Sequence, residues 1–162
     1  MGVELATEAF GDDSGPQQPP ILLMMRATAS MLWWPDELCA KLAATGRIVI
    51  RYDNRDTGQS TTAPPGQPDY SLDDLAGDAL AILDGYGIAR AHLVGISLGG
   101  MLAQLVTLMR PERVARLTAI GSARFDEDDP TLPPMDPDLL EHFGGIATLD
   151  WSDRHAAVDF AV

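Results

Sequence analysis

Apolar positions in this chain alternate between two periods. Short continuous runs stand at residues 21–25 (ILLMM), 47–52 (RIVIRY), 91–96 (AHLVGI) and 114–122 (VARLTAIGS). Each is short enough for a strand covered on both faces. Between them the spacing lengthens to that of helices. Pro35 opens PDELCAKLAATG, with proline expected at the first helical position, acids in the first turn and Gly46 at the end. Ser71 and Asp74 have capping-box spacing, and Leu72, Leu75, Ala76, Ala79, Ile82 and Leu83 line one helical face up to Gly85. From Leu98 the repeat Leu102, Leu105, Val106, Met109 predicts another helix, stopped at Pro111. Residues 3–10 (VELATEAF) read as a first strand, and residues 53–70 as a long loop dense in Gly, Pro, Asp and Thr.

Strand–helix–strand units in this order predict an α/β fold, a mostly parallel sheet with helices on both faces joined by right-handed crossovers. After Ser122 the pattern changes to prolines, acids and short helical stretches. The expected division is therefore a core over residues 1–123 and a helical segment over 124–162. No internal repeat or membrane-spanning run is present in the sequence.

Composition narrows the function. The net charge of −13 disfavours phosphate backbones and anionic lipid surfaces, so neither nucleic acid nor membrane is expected as a partner. Cys39 is the only cysteine, placed at an apolar helical position and read as core, which leaves no intrachain disulfide. The first residues are acidic and lack the apolar segment of a signal peptide, so a cytoplasmic location is expected.

The chemistry concentrates at Gly95-Ile96-Ser97-Leu98-Gly99-Gly100. A serine on a tight strand-to-helix turn takes a strained backbone conformation, and the residues two positions either side must be small. The turn sets the Leu98 N–H at a helix N-terminus, where it can stabilise an oxyanion. Gly100 is expected to let the helix approach the sheet closely. The competing reading is a serine that only caps the helix. The apolar strand before the serine and the amphipathic helix after it favour a nucleophile seat. A dinucleotide site fits less well, because the second glycine of G-x-G-x-x-G is absent.

On these residues the chain resembles the α/β-hydrolase superfamily, from about Glu4 to Ser122. RYDNRDTGQST and WWPDELCAKLA resemble its small-molecule esterase branch, which includes aclacinomycin methylesterase. The resemblance implies a serine hydrolase that cleaves carboxylic, methyl-type esters of a small apolar molecule through an acyl-enzyme at Ser97, with no metal or cofactor. Leu98 would supply one oxyanion N–H and the turn at Arg26 and Ala27 the other, at a place where the family usually carries glycine. A glycine-only backbone at Arg26 would distort that hole, whereas an ordinary one would leave its N–H usable. Asp53, Arg55, Asp56 and Ser60 match a loop that braces the sheet, and residues 124–162 match the start of a helical cap.

In this fold the acid and the histidine follow the serine in chain order. The later strands that carry them are not in this sequence, so the expected architecture is C-terminally truncated. Its last strand would be an exposed edge suited to self-association. Asp126 is the candidate acid. His92 begins the serine's strand, roughly 15 Å or more from Ser97 at 3.3 Å per residue, and is read as structural. His142 and His155 are read first as helix-surface residues and only second as bases. Two alternatives stand beside the esterase: an inactive hydrolase remnant or interaction module, and the same fold with perhydrolase-like or C–C hydrolase chemistry.

Overall fold

The computed structural model describes residues 2–11, 18–124, 134 and 136–161. They form two compact units, one of residues 1–62 and 70–125, the other of residues 63–69 and 126–162.

The larger unit contains the sheet. Its strands are β1 (Thr7–Phe10), β2 (Ile21–Met24), β3 (Val49–Tyr52), β4 (Ala91–Ile96) and β5 (Val114–Ile120). Their order is β1-β3-β2-β4-β5; β1 runs antiparallel to β3 and every other pair is parallel. Three helices connect them: α1 (Asp36–Ala43), α2 (Leu72–Gly85) and α3 (Leu98–Met109). Alternate strand residues pack on opposite faces. Leu22, Met24, Ile50, Tyr52 and Leu93 join Leu75, Ala79 and Leu83 of α2 and Leu102 and Val106 of α3. Ile21, Leu23 and Val49 join Trp34 and, from α1, Cys39. Both faces of the central strands are thus buried, which explains their unbroken apolar runs.

Two local expectations need correction. Pro35 is the N-cap of α1, with extended backbone, and Asp36 is the first helical residue. The first strand begins at Thr7, not Val3. Upstream of it the backbone bonds to the loop after β3: Glu4 N–H donates to Thr61 Oγ1, Ala6 N–H to Ser60 Oγ, and Asp53 N–H to the Ala6 carbonyl. The Ser71–Asp74 capping box is present in both directions.

The smaller unit contains α4 (Pro137–Gly145) and α5 (Arg154–Ala161). His142 stacks on Phe160 with ring centroids 4.3 Å apart. No helix among the described residues is long and apolar enough to cross a membrane.

Candidate active site

Strand β4 runs straight into α3 through one residue, Ser97, whose φ of 50° and ψ of −116° lie outside the regions open to L-residues. Its side chain is exposed, whereas its main chain is tied on both sides. Ser97 N–H donates to the Ile120 carbonyl at 3.0 Å. The Ser97 carbonyl accepts from Gly100 N–H at 2.9 Å, Met101 N–H at 3.1 Å and Ser122 Oγ at 2.9 Å. The end of β5 therefore clamps the turn.

The flanking glycines are required by contact. A Cβ on Gly95 would lie 2.1 Å from the Gly99 carbonyl carbon and 2.4 Å from Gly100 N. On Gly99 it would lie 2.1 Å from the Met24 carbonyl oxygen. These are backbone atoms, which cannot swing aside as a side chain does. Gly99 is thus the close approach to β2, while Gly100 is close to β4 and to Ser122 just beyond β5: a Cβ there would lie 3.2 Å from the Gly95 carbonyl oxygen and 2.6 Å from the Ser122 side chain. Leu98 is the first residue of α3, so its N–H has no carbonyl one turn earlier to bond.

The second wall is the loop leaving β2. Met24 pairs with Gly95 across the parallel ladder, and Met25 is buried beside Gly99. Arg26 and Ala27 are exposed, and neither has positive φ. The left-handed residue of this loop is Thr28, at φ 58°. The backbone at Arg26 is therefore one that any residue adopts. The Arg26 guanidinium carbon lies 4.6 Å from the centre of the Trp33 ring.

Asp53 fixes this wall from beneath. Its buried carboxylate accepts from Met31 N–H at 2.7 Å and from Gln59 N–H at 3.0 Å, joining the loop after β2 to the loop after β3. A Cβ on Gly58 would lie 1.8 Å from that carboxylate. Ser60 Oγ donates to the Asp53 carbonyl, Arg55 makes two hydrogen bonds to Asp78 at 2.7 and 2.8 Å, and Asp56 accepts from Tyr70 Oη. These four residues brace the loops. Arg51, buried on β3, donates to Glu8, Asp36 and the Trp34 carbonyl, tying β1, β3 and the start of α1 together.

The structure brings together Ser97, Leu98 and the glycines of the turn, with the Met25–Arg26 segment against them. His92 is not part of this group. It pairs with Ile21 at the start of β2, the end opposite Met24, and its ring bonds Thr118 Oγ1 at 2.9 Å. Burial, with Arg47 and Arg116 nearby, lowers its pKa from the ordinary 6.5. His142 and His155 lie in the smaller unit, and Asp126 lies outside the described residues. Sequence reasoning missed Ser122 and the Arg26–Trp33 pair. A polar residue two positions after the end of β5 was the available signal for the first; nothing in the spacing marks the second.

A mostly parallel sheet whose strand enters a helix through one strained, exposed serine has the strand–turn–helix geometry found at the elbow of hydrolytic α/β proteins. Residues 21–162 match the family model described as the alpha/beta hydrolase fold, and the chain belongs to that family. Among known proteins it is 44% identical to rhodomycin D methylesterase DnrP of Streptomyces peucetius over 126 residues, 78% of this chain and 41% of that protein. The chain thus spans well under half the length of this relative. The enol-lactonase of Burkholderia xenovorans LB400 superposes with a TM-score of 0.60 at 31% identity, covering 69% of this chain and 41% of that one. A hydrolase from Pseudomonas aeruginosa PA01 gives 0.66 at 30% identity, covering 91% and 49%.

Proposed function

We propose that this chain carries the nucleophile half of an esterase acting on carboxylic, methyl-type esters of a small apolar molecule. Ser97 Oγ adds to the ester carbonyl carbon and gives up its proton to a base. The tetrahedral oxyanion is held by Leu98 N–H and by an N–H of the Arg26–Ala27 turn. Collapse breaks the bond to the alkoxide, which leaves as the alcohol with a proton, and water then hydrolyses the acyl-serine. The observation that carries this reading is the backbone of Ser97, strained and exposed between β4 and α3. Methylesterase chemistry in a relative 44% identical supports the substrate class. Assigning residues 1–123 to the hydrolase core and 124–162 to the start of a helical cap belongs to the same proposal, supported by the short helices α4 and α5.

One observation favours a second reading, a chain that has the seat without turnover of its own. The one histidine of the larger unit, His92, lies at the wrong end of β4. A fluorophosphonate probe and p-nitrophenyl butyrate separate the two, with Ser97→Ala as control. Labelling and turnover that both vanish in Ser97→Ala support the esterase. A folded protein that neither labels nor turns over overturns it. The β5 edge, last in the sheet order and bearing exposed Leu117 and Ile120, is the proposed surface for self-association. Sedimentation velocity showing only monomer over a wide concentration range would refute that.

A further inference from the structure

We propose that Arg26 is a specificity residue of this site and selects esters that carry a second, free carboxylate, such as half-esters of short dicarboxylic acids. The inference rests on the esterase reading for the location of the reacting carbonyl, and it narrows the apolar substrate of that reading to one whose methylene chain ends in a carboxylate. Its own support is the surroundings of Arg26.

The Met25 carbonyl oxygen lies 2.9 Å from where a Cβ on Gly99 would sit, two residues past Ser97. Standard backbone dimensions then put the Arg26 Cα within roughly 7 Å of the Gly99 Cα. An extended arginine side chain covers a comparable distance, so the guanidinium can reach the space above Ser97. It is exposed, and among the described residues its partner is the Trp33 ring rather than a carboxylate. In a chain of net charge −13, a cation that meets an aromatic ring and, among the described residues, no carboxylate is unusual. The net negative charge of the chain repels anions, so a fixed guanidinium is the feature of this wall that holds one.

The platform under the guanidinium is fixed. The Met31–Trp33 turn is capped by Ser30, which accepts from Leu32 N–H, and Met31 N–H is held by the buried Asp53 carboxylate. Trp33 and Leu32 are each 64% exposed. Stacking on the indole leaves the planar N–H fork of arginine open for bidentate contact with a carboxylate. The same platform offers apolar surface to the methylene chain of a half-ester. A neutral ester gains the apolar contact alone.

The test is binding, so that it does not depend on turnover. Monomethyl glutarate and methyl valerate are titrated into Ser97→Ala protein by ligand-observed NMR. The half-ester should bind about fivefold more tightly, the scale of one exposed ion pair. Ser97→Ala/Arg26→Gln should bring the ratio close to one, and Ser97→Ala/Arg26→Lys should keep most of it. A Kd for monomethyl glutarate above about 20 mM, equal affinities for the two esters, or a ratio unchanged by Arg26→Gln each overturns the inference. Turnover of p-nitrophenyl butyrate by the unaltered protein tests the esterase reading separately, so failure of one is not mistaken for failure of the other.

Discussion

Replacing Ser97 by glycine should make the protein more stable while removing the hydroxyl proposed as its nucleophile. The serine holds φ 50° and ψ −116°, the mirror image of an ordinary extended conformation, which glycine adopts as readily as its opposite. A non-glycine residue in such a region carries about 1–3 kcal/mol of strain. Against that relief stands the greater freedom of glycine in the unfolded chain, about 0.5–1 kcal/mol relative to alanine. Ser97→Ala is the proper reference, since it also lacks Oγ but keeps the strain. The hydrogen bonds that hold the turn use the main chain of Ser97, so both variants retain them. Ser97→Gly should therefore exceed Ser97→Ala by about 1 kcal/mol, or about 2–4 °C in Tm for a chain of this size. Urea titration followed by tryptophan fluorescence, with a thermal melt beside it, measures the difference. If Ser97→Gly is no more stable than Ser97→Ala, the turn does not store strain at residue 97 and the reasoning is wrong.

Other expectations follow from neighbouring contacts. Gly99→Ala places a methyl 2.1 Å from the Met24 carbonyl oxygen and must push α3 off β2, with an expected loss of about 3 kcal/mol or more and no fluorophosphonate labelling; wild-type urea stability would contradict this. Asp53→Ala strips Met31 N–H and Gln59 N–H of their shared charged acceptor and should lower stability by about 3 kcal/mol, again read by urea titration. Lowered by burial from 6.5, His92 binds its proton more readily in the unfolded chain. Stability is therefore full above that value and declines as pH falls through the lowered folded one. His92→Gln should flatten Tm against pH across that window, and an unchanged slope would show that other groups set it.

The strands of the core and the elbow were legible because each obeys a local rule. Continuous apolar runs give strands buried on both faces, and the Ser71–Asp74 spacing gives a capping box. What was not legible depends on partners far along the chain. The start of β1 is decided by where pairing with β3 stops and bonding to Ser60 and Thr61 takes over. Pro35 suits both the N-cap and the first helical position, and its extended backbone put it at the cap. The motif requires Gly99 to be small, but only three-dimensional placement shows that it is the glycine against β2. Ser122 acts on Ser97 across 25 residues, a distance no periodicity reports.

The position of the bend after β2 has a consequence for how this family can vary. Because the left-handed residue is Thr28 and not Arg26, position 26 does not require the backbone freedom of glycine. That position can then change by single substitutions without rebuilding the wall around it. In a combinatorial library it is a place where the eighteen replacements other than proline, which would remove the N–H, can be sampled against one frame. Under the specificity role proposed for Arg26, descendants of such a sequence would move between substrates by drift at one codon.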